Sequence, residues 1–541
     1  MTPAAADAPA AASAPVAGAD VDVLVVGAGP TGLMMANQLA RRGVRTLVVD
    51  RHAGPSRETR ALGVQARTLE IYAHLGVVRR ALELGKRGNG ADIWAEGRRL
   101  ARIPLGQAGD AVTPYPYILI LGQDDNERIL GDHLRELGND VQWKTELVAL
   151  ESSPDGVAAT LRQPDGSSEV RRAKYVAGCD GARSAVRHLN GIDFPGAPYE
   201  HVFFVADVEA TGTMMPDDVN VYLWRAGFHL FFPMRGVDHW RIVGIVPAAL
   251  RERTDVAFDD VAPSLHGEAG IGLSIRSCSW FSTYRIHHRA ASRFRAGRCF
   301  VLGDAAHIHS PVGAQGMNTG LQDAYNLGWK LALVVQGRAS PALLDTYEAE
   351  RLPVARRLLE TTDRAFRIVV ADNPLAGMMR TKVLARMAAF AMARPAVQRV
   401  AFRAVSQTGI HYRNGPLAVV DGPLSDDAPR AGDRFPWLRV ALGRDGTVTD
   451  LFERVDDTRW TLVLAGQDAV PKIPWPDGNL DVIVIPAGAG NDAELARAHV
   501  PRPSYWLLRP DGHVGLCGSR FDAASLGRYA TDTLTLRWPN G

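Results

Sequence analysis

The sequence predicts an α/β fold in several parts: a parallel-sheet domain interrupted by an antiparallel sheet, then a helical segment and a smaller C-terminal α/β unit. Three observations carry this. Val21 to Val26 (VDVLVV) is a β-branched apolar run that leads at once into a glycine-rich turn, a stretch of helical spacing and a second apolar run. From Asn220, NVYLWRAGFHLFFPMRGVDHWRIVGIV alternates as three strands separated by Arg225-Ala226-Gly227 and Arg235 to Asp238, which predicts an antiparallel meander. Beyond about Gly415 a helix-rich stretch gives way to short strands. At 541 residues and 46% hydrophobic, the chain has room for two to four domains and a core large enough to enclose a cofactor.

Residues 1–20, rich in Ala and Pro, read as a disordered leader. The formal charge of +2, with Lys and Arg spread along the chain, predicts neither nucleic acid nor membrane as a partner. No stretch approaches the roughly 20 apolar residues of a membrane span. Four separated cysteines (Cys179, Cys278, Cys299, Cys517), without Cys-x-x-Cys, fit neither a disulfide framework nor a zinc site; a reducing cytoplasm and no metal are expected.

The glycine turn is Gly27-Ala28-Gly29-Pro30-Thr31-Gly32, followed by helical spacing through Leu33, Ala36, Leu39 and Ala40 and a strand closing on Asp50. Such a βαβ unit presents the free N–H groups and positive dipole of a helix start to a pyrophosphate. Gly27 permits the turn, Gly29 removes the side chain that would block the phosphates, and Gly32 lets helix and strand approach. Asp50 stands where an acid holds the adenosine ribose, so the unit is a Rossmann-like dinucleotide site.

Two further motifs follow. Lys174 to Val186 carries Cys179-Asp180-Gly181-Ala182-Arg183-Ser184 after an apolar strand. Arg298-Cys-Phe-Val-Leu-Gly-Asp304-Ala-Ala-His307 delivers a carboxylate at a strand end, where α/β sheets place ligands. A long helical pattern then begins near Gly316-Met317-Asn318, able to stabilise charge on a reduced ring. His307 and His309 have no ligand-spaced carboxylate or cysteine nearby and are read as structural or cofactor-proximal.

GAGPTG, CDGARSAVR and GDAAHIHSPVGAQGMNTGLQDAYNLGWKLA, in this order, resemble the three motifs of the class A FAD-dependent aromatic monooxygenases. These include para-hydroxybenzoate hydroxylase and the phenol and aromatic-polyketide hydroxylases. The resemblance spans about residues 21–415. It implies tight, non-covalent FAD, with NAD(P)H as a transient co-substrate and O2 inserted into a phenolic or polyketide-like ring through a flavin C4a-hydroperoxide. Gly27, Gly29, Pro30, Thr31, Gly32, Asp50 and Arg51 would hold the ADP part. Asp180 would serve both FAD and the nicotinamide, and Asp304 the ribityl or pyrophosphate. Arg60 and Gln123 would contact the flavin and Val148 the adenine region, while Pro311, Gly313, Gly316, Met317 and Asn318 would line the ring. The family usually has consecutive glycines before Gln315. Here Gly313 is followed by Ala314, whose methyl alters how closely the backbone approaches the ring.

In that family the sheet between the second and third motifs covers the flavin and walls the substrate cavity. Tyr222 and Trp224 share one face, as do His229, Phe231 and Pro233, and the spacing leaves open which face is inward. Tyr222, Trp224, His229, Phe231 and Pro311 are the substrate-side candidates, with Tyr222 or His229 as a base for a substrate phenol. No Arg or Lys is assigned to a substrate carboxylate, which favours a neutral aromatic. The absence of a second GxGxxG agrees with transient NAD(P)H docking.

The expected division is 21–190 and 293–352 for the two parts of the FAD-binding domain, 191–292 for the substrate-binding sheet and 353–412 for the helices, opening at Pro353. The remainder, 413–541, resembles a thioredoxin-like domain. Where its redox cysteines would stand the sequence reads Gly466-Gln467-Asp468-Ala469, so a structural or dimer-supporting role remains. The chain is expected as a monomer or homodimer. Baeyer–Villiger, epoxidation or N-oxidation chemistry on the same fold, and a non-catalytic flavin-binding protein, are the competing readings.

Overall fold

The computed structural model describes residues 19–538 apart from 57–60, 225–226, 269–270, 310–313, 371–376, 443–445, 467–472, 474 and 477. Arg60, Pro311, Gly313 and the Gln467-Asp468-Ala469 segment therefore lie outside the described residues.

The parallel sheet runs in the order Arg295–Ala296, Cys299–Val301, Ser168–Gly178, Val21–Val26, Thr46–Asp50, Val141–Trp143. Its central strand, VDVLVV, is covered on both faces, and Val23, Leu24 and Val25 are fully buried, as an apolar run without alternation requires. Register aligns the three motifs. Val26 pairs with Gly178 and with Val49, and Gly178 pairs with Val301, so Gly27, Asp50, Cys179 and Leu302 all begin at the same carboxyl edge. Helix Pro30–Ala40 returns along this sheet and packs between helices Gln123–Glu136 and Gly316–Val335.

The antiparallel sheet has eight strands, and the predicted meander is its centre: Asp218–Trp224, Gly227–Pro233 and His239–Ile245 pair in sequence. It is wider than residues 191–292, since Gly90–Ala95, Arg98–Pro104 and His307–Ile308 join its edges. Its two faces differ. Tyr222, Trp224 and Phe231 lie with Phe204, Trp240, Val261 and Leu265 on the outer face, beneath helix Phe258–Pro263 and the turn after it. Val205, Val219, Leu230, Phe232 and Val243 lie on the inner face against Leu62, Ile118 and Ile120 of the first domain.

Helix Asp345–Val370 begins before Pro353 and carries that proline inside it, so the helical segment does not open there. No helix among the described residues is long and apolar enough to cross a membrane. The C-terminal unit is a five-stranded sheet, Val419–Val420, Val514–Gly518, Ser504–Leu508, Trp460–Ala465, Leu480–Ile485, joined to the first domain by buried ions. Arg41 meets Asp457 at 2.8 Å. Arg434 and Arg67 share the Glu70 carboxylate, and Arg509 meets Glu350 at 2.5 Å, with Lys330 at 2.7 Å from the same carboxylate. The ring of Trp329 stands edge-on to Trp460 across this junction.

Burial alone would raise the Glu350 carboxyl, but Arg509 and Lys330 outweigh it and hold it at about 2. A buried ion stripped of its partner is costly, so Arg509→Leu is expected to lose roughly 3–5 kcal/mol in chemical denaturation. A loss under about 1 kcal/mol would show the network to be dispensable. Because Glu350 is lowered from 4.5, its contribution is present above that value and is lost as pH falls toward 2. Glu350→Gln should flatten the acid limb of the stability curve in that window.

Candidate flavin site

The first glycine turn has the form a bound pyrophosphate needs. Gly27 sits at φ +99°, where a Cβ would stand 2.4 Å from the Cys179 carbonyl oxygen, and a Cβ on Gly32 would stand 1.8 Å from the Gly27 oxygen. At Gly29, by contrast, an added Cβ meets nothing within 4 Å. The two outer glycines are thus required by packing, and the middle one faces open space. Helix Pro30–Ala40 begins there with Pro30 in its first turn, no side-chain cap and no acid in that turn, leaving its amides for an anion. Asp50 is fixed beside this start: Oδ2 accepts from the Ala28 N–H at 2.7 Å and Oδ1 from the His52 N–H at 2.8 Å. Arg51 is exposed at the following position. Beyond it the Thr145 N–H donates to the Asp50 carbonyl, and the next strand carries a bulge. Leu147 pairs with Leu161 and Ala149 with Thr160, leaving Val148 as the extra residue.

The second motif places Asp180 just past the central strands. Burial raises its carboxyl although Oδ2 accepts from the Val186 N–H at 3.1 Å; Oδ1 is buried without a partner among the described residues. An orphaned buried oxygen at this edge fits a ligand hydroxyl or amide.

The third motif is locked from below. Gly303, at φ +58°, and Gly320 both pack on Thr31, where a Cβ would come within 2.6 and 2.3 Å of the hydroxyl. Asp304 is exposed in the turn Gly303–Ala305. Beneath it lies Asp323, which the sequence reading missed: its carboxylate accepts from the Gly303 N–H at 3.0 Å, contacts His307 Nε2 at 2.7 Å and pairs with Arg351 Nε at 2.7 Å. Burial would raise Asp323, but Arg351 and His307 keep it lowered, so it is ionised. His307 is therefore structural. The only cue in the sequence was the spacing Thr319, Asp323 on one helix face, since Arg351 arrives from another helix.

Helix Gly316–Val335 starts without a side-chain cap or an acid in its first turn. Asn318 pins that start: its Oδ1 accepts from the Gln65 N–H at 2.9 Å and its Nδ2 donates to Gly63 and Ala314 oxygens at 2.7 and 2.8 Å. Met317 receives the Asn126 amide on its sulfur at 3.0 Å. Gln123 donates to Glu127, whose other oxygen accepts the Ser56 N–H at 2.8 Å, so both sit at the mouth near Asp50. Ala314 adopts φ +52°, the conformation the family's glycine would hold, and lies against Gly63.

The four aromatic candidates on the meander pack on the face turned away from the first domain. Tyr222 stacks on Trp94 at 5.2 Å and Trp224 on His229 at 5.2 Å, all within the outer-face core. Burial pushes the Tyr222 phenol up to about 12 and the His229 imidazole down to about 3. The wall facing the first domain is instead Val205, Val219, Leu230, Phe232 and Val243, with Tyr284 and Ala314 beside it.

A dinucleotide cradle, a second strand-end carboxylate and an uncapped helix start aligned on one sheet edge define a flavoprotein of the Rossmann-like class, and the residues present fit FAD. The family described as FAD binding domain matches residues 20–362, and the chain belongs to it. 6-Methylpretetramide 4-monooxygenase of Streptomyces rimosus is 34% identical over 529 residues, 93% of this chain and 92% of its own. Pentachlorophenol 4-monooxygenase of Sphingobium chlorophenolicum is 34% identical over 555 residues, 97% and 98% of the two chains. The ternary complex of aklavinone-11 hydroxylase with FAD and aklavinone superposes with a TM-score of 0.74 at 27% identity, covering 96% of this chain and 99% of that one. The protein is an FAD-dependent monooxygenase of the aromatic hydroxylase class, with NAD(P)H and O2 as co-substrates.

Two outcomes follow from the geometry. Asp304→Ala removes a charged acceptor worth about 1.5–3 kcal/mol, so FAD affinity should fall roughly ten- to a hundredfold in flavin titration. Unchanged flavin retention would remove Asp304 from the cradle. Ala314→Gly should raise stability by about 1 kcal/mol, because a left-handed alanine is strained and glycine is not; a lower melting temperature would show that the methyl contact outweighs the strain.

Proposed function

We propose that the enzyme hydroxylates a neutral, multi-ring phenolic substrate of the aromatic-polyketide kind, held between the flavin edge and the inner face of the antiparallel sheet. The observation that carries this reading is the composition of that face, where Val205, Val219, Leu230, Phe232 and Val243 offer apolar surface and the buried cation opposite Phe232, Arg241, is already held by Asp207. Relatives that act by name on 6-methylpretetramide and pentachlorophenol, and a structural neighbour holding aklavinone, support it.

When bound, FAD supplies the redox chemistry, taking a hydride from NAD(P)H and activating O2. In the overall balance one oxygen atom converts ring C–H to C–OH, the other leaves as water, and NAD(P)H and one proton are consumed to give NAD(P)+. The chain's residues bind, orient and exclude water. The Gly29 opening and the start of helix Pro30–Ala40 hold the pyrophosphate, Asp50 the ribose, and Val148 the adenine side through its unpaired strand position. Asp180 and Asp304 would hold the ribityl and pyrophosphate side, and Asp180 would also serve the nicotinamide. The helix start at Gly316, Met317 and Asn318 would hold the pyrimidine side of the ring, its dipole offsetting negative charge there. The apolar inner wall keeps water away. Neither Tyr222 nor His229 acts as a base, because both are packed on the opposite face.

The C-terminal unit has a parallel pair, Trp460–Ala465 with Leu480–Ile485, flanked by the antiparallel hairpin Ser504–Leu508 and Val514–Gly518. We read it as thioredoxin-like and structural: Cys517 is its only cysteine and is buried.

Stopped-flow flavin reduction across phenols, naphthols and anthracycline-like compounds, followed by product mass, tests the assignment. Acceleration by a fused-ring phenol with a gain of one oxygen is expected; no oxygenated product from any compound would defeat it. Phe232→Ala should raise KM about tenfold, as loss of apolar contact to a substrate does. Tyr222→Phe should leave both kcat and KM within about twofold. A large fall in kcat for Tyr222→Phe would return that phenol to the site.

A further inference from the structure

The even spread of charge expected over the chain fails in one place. Residues 377–407 contain six cations (Arg380, Lys382, Arg386, Arg394, Arg399, Arg403) and no Asp or Glu, in a chain whose net charge is only +2. In the fold this segment forms helices Ala385–Met392 and Pro395–Val405, preceded by the turn Met379–Leu384, on the surface of the molecule. Phe402 anchors it by packing on Gly109, and helix Ala385–Met392 lies along the sheet-edge strand Arg98–Pro104.

What faces solvent is both cationic and apolar. Met387, Phe390 and Val400 are 63, 68 and 70% exposed, and Met378, Met379, Val383 and Val405 are exposed as well. Lys382, Arg386, Arg394, Arg399 and Arg403 stand exposed among them, and none pairs with a carboxylate among the described residues. The guanidinium of Arg394 lies 4.8 Å over the Phe390 ring, so a charge and a large apolar group share one stretch of surface. The neighbouring edge strand adds Arg98, also exposed; its Arg99 and Arg102 are paired with Asp92 and Asp218.

We propose that this face docks the enzyme on an anionic lipid surface, lying in the headgroup plane without spanning it. Three arguments select that occupant. A second copy meeting the same face would bring its cations against this one's, a repulsive isologous contact. Protein interfaces concentrate apolar groups in a core and deplete charge there, whereas here cations interleave with Met, Phe and Val along the whole segment. That interleaving is the pattern of an interfacial helix, in which apolar groups enter the acyl boundary and long basic side chains reach back to the phosphates. Docking there would bring the edge of the substrate sheet beside a phase in which fused-ring aromatics dissolve. The inference does not depend on the substrate proposed above.

The test is co-sedimentation of FAD-loaded enzyme with vesicles of phosphatidylcholine alone or mixed in equal parts with phosphatidylglycerol. Binding to the anionic vesicles at least about tenfold stronger than to the neutral ones is expected, lost near 0.5 M salt, where the Debye length falls to about 4 Å. The doubly substituted Met387→Ser, Phe390→Ser enzyme and the Arg386→Glu, Arg399→Glu enzyme should each lose binding about tenfold or more. Both sets are exposed, so flavin absorbance and melting temperature should be retained. Equal binding to both vesicle types, binding to neither, or concentration-dependent self-association in analytical ultracentrifugation that Met387→Ser, Phe390→Ser abolishes would each overturn the proposal.

Discussion

The buried carboxylate of Asp323 is the interaction on which the geometry of the site depends. It takes the Gly303 amide from the strand end, the His307 ring from the next strand and the Arg351 guanidinium from the long helix Asp345–Val370. Arg351 in turn donates to the Thr319 carbonyl and to the Tyr412 hydroxyl at 3.1 and 3.0 Å. One ionised group thus fixes the turn bearing Asp304, the helix that starts at Gly316 and the beginning of the C-terminal third. Each charge is paired and hydrogen-bonded, the condition under which a buried ion is tolerable. A glycine-lined contact around Thr31 then sets the distance between the turn and the first nucleotide helix.

The same logic governs the C-terminal unit. Its junction with the first domain is a set of buried ion pairs, Arg41 with Asp457, Arg434 with Glu70, and Arg509 with Glu350, alongside the Trp329–Trp460 contact. Such pairs need geometry more than area, so they specify one docked arrangement. Helix Gly316–Val335 bears Asp323 near its start and Trp329 and Lys330 farther along. The unit therefore braces the far end of the helix whose near end carries the proposed flavin contact.

What the sequence made legible was whatever sterics or period dictate. Gly27 and Gly32 are glycines because a Cβ would strike backbone, and that requirement shows in the spacing of the turn. The meander from Asn220 shows in its alternation. Alternation, however, states parity and not sign. Both faces of this sheet are apolar, with Tyr222 and Phe231 on one and Val219 and Phe232 on the other, so local sequence cannot say which meets the first domain. The face with Tyr, Trp and His is the one that fills the space under helix Phe258–Pro263, where large volume is needed. Asp323 and Arg351 were invisible because their partnership joins two helices. The basic stretch at 377–407 was legible and was averaged away by the charge of the whole chain.

The two sides of the proposed substrate site are built differently, and this bears on how such an enzyme acquires its substrate. On the flavin side, glycines that admit no Cβ and polar groups with two or three partners each leave little room for change. On the sheet side the wall is aliphatic and phenylalanine surface, where a substitution alters shape without orphaning a hydrogen bond. A methylene in such a wall is worth only about 1–3 kcal/mol between competing substrates. With the substrate placed as proposed, exchanging several of Val205, Val219, Leu230, Phe232 and Val243 would redirect the enzyme among ring systems while the cofactor cradle stays intact. Two relatives at 34% identity carry the names of different substrates, pentachlorophenol and 6-methylpretetramide.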